Sequence, residues 1–126
     1  MGPDTLGVRF RIPLVPPSVN TLYQVNYRER RIFMHPKFRK FKTDVKLLLG
    51  AKPRFEFDKP LKLKLDIHNQ WFTKKGDVKR IDVANMEKAF VDAMSEKWDF
   101  DDKLIWSRQI EKIQDEEWHG LEGWMN

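Results

Sequence analysis

Two stretches of the chain alternate strictly between apolar and polar positions. Val8, Phe10, Ile12 and Leu14 alternate with Arg9, Arg11 and Pro13, which predicts a half-buried strand running to Val15. Pro16-Pro17 ends it, because neither residue can donate to a ladder. Leu61, Leu63, Leu65 and Ile67 alternate with Lys62, Lys64, Asp66 and His68 in the clearest strand of the chain, closed by Trp71-Phe72. His68 falls on the wet side of that strand and reads as an exposed histidine. Helical spacing governs two other stretches. Phe38, Phe41, Val45, Leu48 and Leu49 predict a helix that begins at His35-Pro36 and stops at Gly50 and Pro53. Val83, Met86, Phe90, Val91 and Met94 predict a second helix, approximately Asp82 to Glu96. Residues Leu104 to Ile113 read as a further strand. Trp118, Leu121, Trp124 and Met125 predict that the tail docks, on its own sheet or on a second subunit. Tyr27 to Met34 is a basic stretch suited to a short hairpin or an irregular arm. The fold class is α+β: a small mixed β-sheet packed by two main helices, one domain over residues 1–126.

Composition narrows the setting. Hydrophobic residues make up 40% and charged residues 34% of the chain, which suits a globular domain. The absence of cysteine excludes a disulfide framework and a thiolate metal site. No apolar stretch reaches the ~20 residues of a membrane span, and no signal-peptide core is present, so a cytoplasmic protein with no membrane partner is expected. The net charge is +5. Arg28, Arg30, Arg31, Lys37, Arg39, Lys40 and Lys42 face only one acid in their stretch, Glu29. Lys74, Lys75, Lys79 and Arg80 form a second cluster, while the chain beyond Glu111 is acidic. Such a one-sided layout suits a phosphate-tracking surface, where solvated faces are the plain alternative. His35, His68 and His119 show no metal-binding spacing.

The second cluster leads into the candidate chemistry. Asp82 is a good helix N-cap type, Asn85 lies one turn on, and Lys88 one turn further, with Asp92 four residues beyond it. Asp101-Asp102 stands directly before the next apolar run. Singly, an Asp before a helix is usually a cap, and an Asp pair before a strand usually a solvated turn. Together, acids converging from a helix start and a strand start, with cations around them, suit a divalent metal beside a polyanion. Convergence requires the strand to start near the helix, which spacing alone does not establish.

The pattern Asp82-x-x-Asn85-x-x-Lys88, then Phe90-Val91-Asp92-Ala93-Met94, then Asp101-Asp102 before Leu104-Ile105, resembles the RusA family of Holliday junction resolvases. So does Pro16-Pro17-Ser18-Val19-Asn20-Thr21-Leu22-Tyr23 after the first strand. The resemblance implies Mg²⁺-dependent (or Mn²⁺-dependent) cleavage of branched DNA by a homodimer, in a protein of bacterial or phage origin. It implies that Asp82 and Asp102, helped by Asp101, bind the metal, that Lys88 assists cleavage at the scissile phosphate, and that Asn85 orients a ligand or water. Asn20, Tyr23, Arg28, Arg30, Arg31, Lys37, Arg39, Lys40, Lys74, Lys75, Lys79 and Arg80 are the implied DNA contacts. One position departs from the family pattern: its second acid is Ala84 here. Asp101, Asp77 or Asp99 compensates, fewer ligands suffice, or the chain is a catalytically impaired branched-DNA-binding protein. A structural protein with solubilising charge is the reading outside this class.

Overall fold

The computed structural model describes residues 7–17, 23–81 and 83–126. The first alternating stretch forms β1 (Val8–Ile12), with Val8, Phe10 and Ile12 buried and Arg9 and Arg11 outside. It is shorter than the predicted run to Val15. The Leu14 amide folds back onto the Ile12 carbonyl at 2.8 Å, a tight turn that ends the strand before the prolines do.

The basic stretch is a hairpin, β2 (Tyr23–Asn26) paired antiparallel with β3 (Arg31–Met34). Asn26 Oδ1 accepts the Glu29 amide at 3.1 Å, and Arg30 takes φ 53° to close the turn. Tyr27, Arg28, Arg30, Arg31 and Ile32 are all exposed along it.

Helix α1 (Pro36–Leu49) starts where predicted, with His35 Nδ1 accepting the Lys37 amide at 3.1 Å as a cap. Phe38, Phe41 and Val45 are buried, and Leu49 packs at the edge of the core. Leu48 is 51% exposed, contrary to expectation. Positions 38, 41, 45 and 49 already fill the inward stripe, and Leu48 lies about 100° round the cylinder from Leu49.

The second alternating stretch is β4 (Leu61–Asn69), with Leu61, Leu63, Leu65 and Ile67 buried. Helix α2 (Val83–Trp98) then crosses to β5 (Ile105–Gln114), which lies parallel beside β4. Parallel neighbours need such a crossover. The helix runs past Glu96 because Trp98 is buried against Phe57, ring centroids 6.1 Å apart, and bonds the Gly50 carbonyl at 3.3 Å. A 3₁₀ turn, Asp102–Leu104, leads into β5.

The tail docks on its own sheet. Strand β6 (Gly120–Met125) inserts between β1 and β4, antiparallel to both, giving the order β1-β6-β4-β5. Phe10 on β1 meets Phe90 on α2 at 4.9 Å between centroids, so the helices cover one face of the sheet. The class is α+β, as the patterns predict. The other face carries Arg9, Arg11, Lys64, Asp66, His68 and Glu122.

Candidate active site

Glu87 lies on the buried side of α2, with only 6% of its surface exposed. Arg108 on β5 reaches it, Nη1 donating to Oε1 at 2.5 Å. Burial pushes the Glu87 carboxyl above its ordinary range. Arg108 opposes that rise, and the charges of Asp92 and Asp102 add to it. Asp92, further along α2, is half-buried. Its carboxyl is also raised, first by burial and then by Asp102 and Glu96, against the pull of Lys42 and Lys88.

Both rises trace in part to the same acid. Asp102, at the start of the 3₁₀ turn, stands in electrostatic reach of both Glu87 and Asp92 on the helix. The turn that follows α2 carries it there, before β5 pairs with β4. Lys88 is exposed on α2, four residues before Asp92, and Lys42 approaches Asp92 from α1. Lys42 also bonds Glu96 at 2.9 Å. Glu87, Asp92 and Asp102 thus share a field that two lysines and one arginine oppose, although among the described residues only Asp66, His68 and Glu122 bring three ligand atoms within 4.8 Å of one another.

The other candidate residues are distributed differently. Asp82 and Asn20 lie outside the described residues, as does the side chain of Tyr23. Asn85 is half-buried in the first turn of α2. Asp101 is exposed, and its Oδ1 accepts the Lys103 amide at 2.9 Å as the cap of the 3₁₀ turn. Asp101 and Asp99 line a cavity of about 570 Å³ with Lys52, Phe57 and Phe100. Asp77 closes an exposed turn, its carbonyl accepting the Thr73 amide at 2.7 Å. Arg28, Arg30, Arg31, Lys37, Arg39, Lys40, Lys74, Lys75 and Arg80 are exposed, and Lys79 is half-buried. Arg31 pairs with Glu29 at 2.8 Å and Lys40 with Asp44 at 2.8 Å, both at the surface.

Glu87 is the residue that spacing concealed. It precedes Phe90, Val91 and Met94 by three, four and seven residues, which is the rhythm of the buried stripe. A glutamate at that rhythm signals a buried carboxylate in need of a cation, and Arg108 is that cation. His68 also differs from expectation. It is not an exposed side chain: only 14% of it is accessible, between Asp115 and Glu122. Those acids come from the chain after β5, which the alternation within β4 cannot reveal.

The family model described as endodeoxyribonuclease RusA matches residues 13–122 of the 126. The match spans the hairpin, both helices, β4, β5 and the start of β6, so this is a chain of the endodeoxyribonuclease class. It belongs to the RusA family. No individual curated protein matches it.

Proposed function

We propose that this protein is a Mg²⁺-dependent endonuclease that resolves four-way DNA junctions by paired nicks, acting as a two-fold dimer. The observation that supports the reading is the family match over residues 13–122, with Asp102 placed in electrostatic reach of Asp92 and Glu87 across the turn between α2 and β5. The negative charge of Asp102 adds to the rise of both helix carboxyls, and a hard divalent cation held beside Asp102 would offset that charge. Asp82, Asp102 and Asp101 are the proposed ligands from the family pattern. Bound Mg²⁺ would supply charge neutralisation and an activated water at the phosphate.

The rest of the chemistry falls to the chain. Lys88, exposed beside Asp92, is suited to meet the scissile phosphate, and Asn85 to orient a ligand or a water. Glu87 offers an answer to Ala84. It lies three residues on, close to one helical turn, and within the field of Asp102. With Arg108 holding one oxygen, its carboxylate is fixed against the site. Arg28, Arg30 and Arg31 on the hairpin, Lys37, Arg39 and Lys40 on α1, and Lys74, Lys75, Lys79 and Arg80 after β4 would track the phosphates, together with Asn20 and Tyr23. A dimer matches the approximate two-fold symmetry of a four-way junction.

The deciding experiment incubates the protein with a labelled four-way junction, in Mg²⁺ and in EDTA, beside Asp82→Asn and Asp102→Asn variants. Symmetric nicks that require Mg²⁺ and vanish in both variants are the expected result. Tight, salt-sensitive binding without cutting would instead favour the impaired reading that Ala84 suggests. Loss of both binding and cutting would remove the nuclease reading.

A further inference from the structure

We propose that the outer face of the sheet holds a second cation site, for Zn²⁺ or a similar borderline transition ion, made by His68, Glu122 and Asp66. This site is independent of the nuclease reading, because it lies on the face of the sheet turned away from α2.

The three side chains come from neighbouring strands. Asp66 and His68 are two residues apart on β4, on the same face, and Asp66 stands opposite Glu122 on β6. One ligand atom from each lies within 4.8 Å of the others. All three residues are half-buried. Asp66 and Glu122 border a cavity of about 510 Å³, lined also by Arg9 and Arg11, which leaves room for water to complete a coordination shell.

The histidine carries the argument. Its Nε2 is fully enclosed and has no hydrogen-bond partner among the described residues, although Glu122 Oε1 lies 2.8 Å away. Its other nitrogen, Nδ1, meets Asp115 Oδ2 at 3.0 Å. Asp115 is itself fixed: its Oδ1 accepts the amides of Glu117 at 2.9 Å and Trp118 at 3.0 Å. A carboxylate anchored in this way holds the proton on Nδ1 and turns the Nε2 lone pair outward, the arrangement by which a second carboxylate orients a metal-bound histidine. The lone pair then faces a glutamate oxygen. Two lone pairs at that distance repel, and a cation coordinated by both, with a slight opening of the pair, relieves the repulsion. Trp118 closes the side of the site, its ring 5.3 Å from His68 and covered by Arg11 at 4.0 Å.

Charge points the same way. Asp66, Glu111, Glu122 and Asp115 gather around His68 and Lys64. Lys64 bridges Asp66 Oδ1 at 2.7 Å and Glu111 at 2.9 Å, and Arg11 touches Glu122 Oε2 at 3.5 Å. Even with Arg9 at the rim, the cations do not match the four acids. The set of one imidazole and two carboxylates favours Zn²⁺ or a neighbour over Mg²⁺, which takes oxygen ligands.

The test is calorimetric titration of the metal-stripped full chain with Zn²⁺, in excess Mg²⁺ so that all-oxygen sites are filled. One equivalent should bind. Glu122→Gln, which keeps the shape, should weaken binding at least tenfold, and so should His68→Gln. Asp115→Asn should weaken it about tenfold through the histidine, while Asp102→Asn should leave it unchanged. In the wild-type chain, the ring resonances of His68 should shift with Zn²⁺ before those of His35 and His119, so the site can be judged even if a variant misfolds. Absence of a saturable equivalent, or binding that survives Glu122→Gln with His68 resonances unmoved, would overturn the proposal. That outcome would leave His68 as a structural link between Asp115 and Glu122.

Discussion

Arg108 and Glu87 meet at 2.5 Å across the boundary between β5 and α2, the arginine partly in solvent and the glutamate inside. The pair ties the crossover helix to the strand that follows it, with Asp102 in electrostatic reach of the glutamate. Removing the arginine leaves a buried carboxylate alone. Arg108→Ala is expected to destabilise the fold by about 2 kcal/mol, short of the cost of a fully buried pair because the arginine is partly hydrated. Urea unfolding of the two proteins measures it.

The same glutamate sets a pH dependence. Its carboxyl is raised in the fold by burial, beyond what Arg108 restores, with Asp92 and Asp102 adding to the rise. Between its ordinary and its raised value, the folded chain binds more protons at Glu87 than the unfolded chain does. Stability therefore falls as pH rises through that window and returns on mild acidification. Glu96 and Asp115 are shifted down and act oppositely, losing stability as pH falls. The comparison must therefore be between variants. Glu87→Gln should remove a stability gain on going from pH 7 toward pH 5 that wild type retains, and Arg108→Ala should enlarge that gain. Equal pH slopes in all three would show that Glu87 is ionised at no cost.

Carboxyls that are raised partly by a neighbouring acid should respond to a divalent cation. Asp102→Asn relieves Asp92 and Glu87 of a negative neighbour. It should raise stability in EDTA, reduce stabilisation by Mg²⁺, and lower junction cleavage by about 100-fold or more, the order expected when a charge-stabilising group is lost. Melting in EDTA and in Mg²⁺, beside cleavage assays, separates the three effects.

Most of the fold was legible in the alternation of β1 and β4 and in the helical spacing of α1 and α2, because burial there follows one face of one element. What was not legible arises between elements. Nothing local in Gly120–Met125 says that it becomes an inner strand, flanked by β1 and β4. Glu87 was hidden inside an apolar rhythm, its partner 21 residues away on another element. His68 was misplaced for the same reason, since Asp115 and Glu122 come to it from later in the chain. Of the proposed site, Asp102 and Lys88 carry a sequence pattern, while Glu87 does not. The acids in reach of Asp102 depend on the turn between α2 and β5, which no local pattern reveals.

The hairpin offers a test with a clean control. Tyr27 is 86% exposed and Ile32 69%, on an arm that also presents Arg28, Arg30 and Arg31. Side chains so exposed contribute little to the core, so Tyr27→Ala and Arg28→Ala should leave the melting temperature unchanged. If the arm lies on DNA, Tyr27→Ala should cost about tenfold in junction affinity through lost base stacking. Arg28→Ala should flatten the dependence of affinity on salt by about one phosphate contact. Unchanged affinity in both would move the DNA surface to α1 and the turn after β4.

The last prediction concerns the position of β6. Gly123 sits opposite Phe10 on β1 and Leu65 on β4, and a Cβ there would overlap the Lys64 carbonyl and press on the Phe10 ring. Both neighbours are fixed, the first as backbone inside a ladder and the second by its packing on Phe90. Gly123→Ala therefore forces β6 away from β4 or Phe10 away from α2. A cost of about 2 kcal/mol or more is expected, at the upper end of overpacking because backbone yields less readily than a side chain. The strain should also pass to the acidic group, since Phe90 lies on the same helix as Glu87 and Asp92. Gly123→Ala should thus lose cleavage faster than DNA affinity as temperature rises, because the exposed hairpin is remote from the strained strands. Parallel loss of both would mean that the sheet fails as a whole, and no loss would mean that β6 is held less tightly than its two ladders imply.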